Sequence, residues 1–489
     1  MFRKYLILVG IVSVAGLLWY ASPLSHNKEP LTGDQPHYLV MSQSVLSDRG
    51  LDVKNQYQQR SYRDFYEHQP SGWMDYTGIN NPLANYPAVI EPHVDTRFMP
   101  DGPHWYSYHA PGLSLLTAPM LWIGGLPLVQ IGMVGCALAV LILTYVWTKR
   151  VTRKRWAAFL ATGMTGFSVS FLSLSGLVYP DLPAALLLLT GLLIVTGKRL
   201  RIRWLLVLSI AAGLAPWLHA RTYVVSLALL GYAGWVICKT QADPRRRAVR
   251  LGALALPAVA LMAGALLLQH YMHGAWMPTG VYGKPSLFAL DAVTGSVATL
   301  TDQTKGIFSN NPAYLLLIPG TVFWARKDLR SFFLTAIVVG PTLLLNATFR
   351  GWWGGFSPPG RYSFAIIPAL APAIAFCLLA AKRLRTKALI GTVAAFQAIL
   401  VLGLLTRNLP TANLGDQSPV YYAVGAEGVA KTLFPRYTEE GVVNTPVLHV
   451  SWLLVLLGLL AAPALPTYRR HGRLFAKTSK ATADTPLKG

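Results

Sequence analysis

Nothing constrains the fold of this chain more than its recurring apolar runs, near residues 5–24, 126–147, 157–178, 182–197, 204–218, 222–238, 251–270, 312–325, 331–347, 363–381, 388–405 and 447–464. A bilayer core about 30 Å thick is crossed by roughly 20 apolar helical residues. No water is available there to satisfy backbone N–H and C=O groups, so a run of this kind reads as a helix that closes its own hydrogen bonds. The expectation is an all-α integral membrane protein of about twelve transmembrane helices, forming one membrane domain over residues 1–465. The first run, from Tyr5 to Leu24, is either a span or a cleaved signal peptide, and it exceeds the roughly 7 to 15 residues of a signal core.

The charge pattern orients these helices. Of the 43 Lys and Arg residues, 29 fall in seven segments: Arg3-Lys4, Lys149 to Arg155, Lys198 to Arg203, Lys239 to Arg250, Arg326 to Arg330, Lys382 to Lys387, and the tail from Arg469. Only Asp243, Asp328 and Asp484 accompany them. Cytoplasmic loops carry an excess of Lys and Arg, so both termini are expected inside. The net charge of +23 then reads as a topology signal and a contact with anionic membrane lipids, not as a nucleic-acid footprint. Counting Pro111 to Gly124 as a span would put Lys149 to Arg155 outside, so 111–124 reads as a juxtamembrane helix. Residues 466–489 read as a basic cytoplasmic tail.

Composition excludes other classes. With 53% hydrophobic and 13% charged residues, the chain does not resemble soluble domains. Cys136, Cys238 and Cys377 stand singly in apolar runs, without the spacing of a disulfide framework or a thiolate zinc site. No glycine-rich phosphate loop and no Asp-x-Asp pair lies on a cytoplasmic segment. Asn346-Ala347-Thr348 fits a glycosylation pattern but abuts a span, and is discounted.

This topology sends residues 25–110, Tyr179-Pro180-Asp181, 271–311, 348–362 and 406–446 to the extracytoplasmic side, where any chemistry is expected. Within the first loop, residues 36–48 suit a short amphipathic helix, with Tyr38, Met41, Val45 and Leu46 on one face and Gln43, Ser44 and Asp48 on the other. Pro36 suits its first turn. Asp34, two residues ahead of that proline, is either a helix cap or a functional carboxylate.

Several pieces occur in a telling order: Gly33-Asp34 after the first run, Trp105-Tyr106-Ser107-Tyr108-His109-Ala110-Pro111-Gly112 at the end of the first loop, and the corner Tyr179-Pro180-Asp181. They are followed by Gly351-Trp352-Trp353-Gly354-Gly355-Phe356-Ser357-Pro358-Pro359-Gly360-Arg361-Tyr362. From Gly33 to about Tyr362 the chain resembles GT-C superfamily membrane glycosyltransferases of bacteria. The resemblance implies an inverting transfer of sugar from a polyprenyl-phosphate donor to an acceptor hydroxyl of a lipid, glycan or protein, at the extracytoplasmic face of the inner (plasma) membrane.

In that reading Asp34 matches the catalytic carboxylate of the first loop. A hydroxyl is a weak nucleophile until a positioned carboxylate takes its proton. The phosphate leaves as an anion, so no second carboxylic acid is needed, unlike glycoside hydrolysis. Asp181 resembles the second-loop acid of some members, with a helix cap as the alternative. Arg361, Arg221 beside His219, and Lys284 are cations placed by position to bind phosphate, against the alternative of snorkelling interface residues. His37 and His109 stand as candidates to assist Asp34 or to ligate a divalent metal with it, although their spacing is not that of a ligand set. No cofactor is assigned. The rival class, a transporter or flippase of a lipid-linked glycan, commonly places ionisable residues inside its spans. All 20 Asp and Glu here fall outside the runs, which favours an enzyme.

Overall fold

A computed structural model of the protein describes residues 14–18, 31, 33–66, 103–197, 200–276, 292–349, 351–354, 357–407, 419–437 and 443–464. Among them the regular elements are helices, and extended pairing is limited to two isolated bridges, Asp52 with Tyr106 and Tyr437 with Val443. The protein is an all-α integral membrane protein. Five helices are long and apolar enough to cross a bilayer: Gly112–Thr152, Thr222–Thr240, Pro244–His273, Leu329–Thr348 and Leu384–Thr406. Others, including Asp181–Val195, Ile202–Leu218 and Pro446–Ala461, are apolar but shorter, so length alone does not return the span count read from hydropathy.

Helix α1 (Gln35–Ser47) follows Asp34, and α2 (Gly112–Thr152) follows the end of the first loop. The two pack together through hydroxyls: Ser114 Oγ donates to the Tyr38 carbonyl at 2.8 Å, and Ser42 Oγ meets Thr117 Oγ1 at 2.9 Å. Ser44 is fully buried and donates to the Asp52 carbonyl at 2.6 Å, whereas Leu46 is 39% exposed. The amphipathic assignment of α1 is therefore corrected. The helix lies inside the protein, where serine hydroxyls pair with neighbouring backbone, and its apolar stripe does not choose the buried face. Helix α2 loses helical geometry at Gly124 (φ −144°) and Gly125 (φ +62°), at the end of the segment 111–124. Glycine tolerates that left-handed residue without a Cβ clash.

The run 157–178 is not one helix either. It forms α3 (Arg155–Gly166) and α4 (Val169–Leu174), separated at Phe167 and Ser168. The freed carbonyls find partners elsewhere in the fold: Gln397 Nε2 donates to Met164 and Phe167 at 2.9 and 2.6 Å, and Tyr314 Oη donates to Thr165 at 3.0 Å. Non-helical backbone inside a membrane protein is tolerated where the protein satisfies it in this way.

Four further helices bound the site: α5 (Asp181–Val195), α6 (Ile202–Leu218), α7 (Thr222–Thr240) and α8 (Pro244–His273). With α9 (Leu329–Thr348), they gather at one end of the bundle where α5 and α7 begin and α6 and α9 finish. Glycine permits close approaches there. A Cβ on Gly112 would lie 2.5 Å from the Trp217 carbonyl oxygen, so α2 starts directly against the end of α6.

Candidate active site

The residue that organises this end of the bundle is Arg361. Its Nη2 donates to Asp34 Oδ2 at 2.6 Å and its Nε to Asp181 Oδ2 at 3.3 Å. The Arg361 side chain is 2% exposed, Asp181 10% and Asp34 24%, so of the two carboxylates Asp34 is the more open to solvent. The Arg361 guanidinium also stacks on the Tyr179 ring at 3.8 Å.

Local geometry explains how three distant residues meet. Gly33 adopts φ +59°, a left-handed turn that sets the entry to α1. Asp34 occupies the N-cap of α1 but makes no side-chain cap hydrogen bond, so its carboxylate serves Arg361 and the helix-cap alternative is set aside. Asp181 opens α5 behind Pro180, and it too turns its carboxylate to Arg361. Arg361 begins a single 3₁₀ turn after Gly360, whose φ is +68° and whose Cβ would stand 3.0 Å from Ile307 Cγ1. Burial pushes the Asp181 carboxyl up, against the opposing pull of Arg361 and Arg221. Burial likewise works against the Arg361 charge, but Asp34, Tyr179 and Asp181 outweigh it and hold the guanidinium firmly protonated.

Arg221 is the second cation of the cluster. Its Nη1 donates to Asn346 Oδ1 at 3.1 Å, its Nη2 approaches His219 Nε2 at 3.3 Å, and its guanidinium lies 3.4 Å from the centre of the Tyr362 ring. Arg361 faces the same ring at 5.3 Å. Among the described residues Arg221 has no carboxylate within ion-pair distance, in contrast to Arg361 with two. Burial and the charges of Arg221 and Arg361 depress the His219 pKa well below the usual imidazole value, so this ring is neutral at pH 7. Asn346 is buried and also donates to the Tyr362 carbonyl at 2.9 Å, which removes its side chain from any glycosylation reading.

Two cavities meet at His219. One is a partly open cavity of about 40 Å³, with Asp181, His219 and Arg221 at its polar end and Leu188, Ala212 and Leu229 among its apolar walls. The other, about 100 Å³, is lined by Tyr38, His109, Trp217 and Tyr223. His109 stacks between Tyr38 (4.8 Å) and His37 (5.8 Å), and His37 Nδ1 is 2.7 Å from Tyr57 Oη. The two histidines thus line the first-loop side of the site. Among the described residues no three His, Cys, Asp or Glu side chains converge as a metal-binding group, so Asp34, His37 and His109 do not form a ligand set. Lys284 lies outside the described residues.

Sequence reasoning missed the support beneath Arg361. Asp302 accepts backbone N–H groups from Thr304 (2.9 Å), Lys305 (2.7 Å) and Tyr437 (3.1 Å). Lys305 is buried, donates through Nζ to the Ser357 carbonyl at 2.5 Å, and accepts from the Gly360 amide at 3.0 Å. This network holds the loop that presents Arg361. The signal available was the acid and lysine three residues apart in Asp302-Gln303-Thr304-Lys305, in a loop already expected on the site side. Tyr179, Tyr362 and Asn346 carried no such signal beyond their nearness to motif residues.

No protein-family model matches the chain, and no curated protein matches it. Solved structures do. ArnT from Cupriavidus metallidurans in the apo state superposes with a TM-score of 0.51 at 14% identity, over 96% of this chain and 73% of that one. The same protein bound to undecaprenyl phosphate gives 0.47 at 13% identity, over 94% and 78%. The oligosaccharyltransferase AglB from Archaeoglobus fulgidus, in complex with an inhibitory peptide and a dolichol-phosphate, gives 0.42 at 13% identity, over 88% and 56%. The fold assignment rests on the first of these.

Proposed function

We propose that this protein, whose chain has the GT-C fold, is a membrane glycosyltransferase that moves a sugar from a polyprenyl-phosphate donor to an acceptor hydroxyl, with inversion and with Asp34 as general base. The observation that carries the reading is a partly exposed carboxylate paired with Arg361, which shares the Tyr362 ring with Arg221, and Arg221 lies with Asp181 at the polar end of an apolar cavity. An amphiphilic anion fits that arrangement, with its phosphate at the cations and its chain along apolar walls.

In the reaction the acceptor oxygen attacks the anomeric carbon while Asp34 takes the hydroxyl proton. The bond from that carbon to the phosphate oxygen breaks, and the phosphate gains one negative charge. Arg221, which has no ion pair among the described residues, is the first candidate to meet that charge. Arg361 is already neutralised by two carboxylates, so its part as the primary phosphate ligand gives way to Arg221. Asp181 positions Arg361, and His109 and His37 border the face from which an acceptor enters. The same reading places the site on the extracytoplasmic side of a bacterial inner membrane, with residues 25–110 as the first loop, 111–124 as a juxtamembrane helix and both termini cytoplasmic.

The test is transfer by the purified full-length protein. Radiolabelled sugar should move from a polyprenyl-phosphate donor to components of an envelope extract, and the matching nucleotide sugar should be ignored. Asp34→Asn, which keeps shape and removes the proton acceptor, should lower turnover by roughly 10²- to 10⁴-fold without loss of folded protein. Turnover of the nucleotide sugar in a lipid-free assay, or a fully active Asp34→Asn protein, would refute the reading.

A further inference from the structure

The base proposed above is engaged by Arg361. Asp34 Oδ2 accepts from Arg361 Nη2 at 2.6 Å, a short charge-assisted bond. A guanidinium at this distance favours the ionised carboxylate and so lowers its affinity for a proton. It also occupies Oδ2, one of the two carboxylate oxygens. Proton transfer to Asp34 is therefore favoured when this pairing is loosened.

We propose that the phosphate of the donor loosens it: the arriving anion draws Arg361 away from Asp34, and the base is released only once the donor is bound. This inference rests on the glycosyltransferase reading and adds to it an order, donor before acceptor, and a second role for Arg361 as a positioning residue that exchanges partners.

Three observations carry it. Arg361 uses Nη2 and Nε on the two carboxylates, while its Nη1 has no hydrogen bond among the described residues and offers two N–H groups to an oxyanion. Arg221 lies against the same Tyr362 ring, so an anion held by Arg221 arrives beside Arg361. Asp181 grips Nε from the more buried side, which leaves Arg361 an anchor about which to turn.

Charge counting gives the same direction. With His219 neutral, the two guanidinium groups of Arg361 and Arg221 balance the carboxylates of Asp34 and Asp181. A phosphodiester adds one negative charge, which raises the proton affinity of the nearby carboxylates. During transfer Asp34 goes from charged to neutral as the phosphate gains a charge. A guanidinium that passes from Asp34 to the phosphate follows the negative charge, and stabilises the transition state more than the ground state.

The experiment measures binding of undecaprenyl phosphate, without sugar or acceptor, to the full-length protein in nanodiscs. If Asp34 competes with phosphate for Arg361, Asp34→Asn should tighten binding by about tenfold, the scale of a lost charge-assisted hydrogen bond. The tightening should vanish in an Arg361→Gln background, where nothing remains to compete for. Should Arg361→Gln fail to fold, Arg361→Lys serves: its single ammonium cannot reproduce the fork, and the tightening should shrink to about twofold or less. Unchanged affinity in Asp34→Asn overturns the proposal. So does a tightening that persists when Arg361 is replaced, since that would be plain charge repulsion. Absence of binding by the wild type and every variant overturns the glycosyltransferase reading itself, and this proposal with it.

Discussion

Replacing Arg361 by alanine tests whether this residue holds the site together. The wild-type guanidinium compensates Asp181, 10% exposed, and Asp34, 24% exposed, at 3.3 and 2.6 Å. Removing one partner of a buried ion pair costs about 3–5 kcal/mol, because the remaining charge stays out of water without compensation. Asp34 can recover solvation at its exposed side, so the loss should fall near the lower figure, about 3 kcal/mol. Most of it belongs to Asp181. The double variant Arg361→Ala with Asp181→Asn should therefore recover more than half of the loss. The cost should also depend on pH. Burial already pushes the Asp181 carboxyl up, and loss of Arg361 pushes it further, so the folded state binds the proton better and stability is lost as pH rises above the usual carboxylate range. Equilibrium unfolding by SDS in mixed micelles, at pH 5 and pH 8, reads both effects. A loss below about 1 kcal/mol, or a double variant no more stable than the single one, would refute the argument that Arg361 is held for charge compensation.

Two further predictions concern His219 and the orientation of the chain. His219 has a depressed folded pKa, so the unfolded chain binds more protons below about pH 6.5 and wild-type stability is lost as pH falls through that region. His219→Asn should flatten the melting temperature between pH 7 and pH 5 relative to wild type, and parallel curves would remove His219 from this account. Orientation is tested by single cysteines at the exposed positions Arg49 and Lys431, which should react with an impermeant thiol reagent in intact cells, while one at Arg246 should not. Labelling at Arg246 alone would reverse the proposed topology.

The site was legible in the sequence to a limited degree, and for an identifiable reason. Asp181 and Arg361 stand at the edge of apolar runs and Asp34 lies in the loop after the first run, and the charge pattern reads all three onto one side of the membrane. That places them on a common surface but says nothing of their partners. Arg361 reads from sequence as a phosphate ligand; in the fold it lies between two carboxylates, 327 and 180 residues away along the chain. Arg221 reads as the lesser cation, yet it is the one with no carboxylate in reach among the described residues. The run 157–178 reads as one span, since nothing local announces that Gln397 and Tyr314 will satisfy a break in it.

What the sequence determined by itself is the all-helical membrane character and the placement of its apolar runs and basic segments along the chain. These follow from transfer free energies that each residue carries individually and that sum along a segment. Only the tertiary structure decided that Asp34, Asp181 and Arg361 form one buried cluster, that Asn346 and Tyr362 hold Arg221, and that Asp302 and Lys305 support the Arg361 loop. Those are properties of pairs. A buried charge is stable only beside its counter-charge, and which helix ends adjoin is settled by packing across the whole bundle.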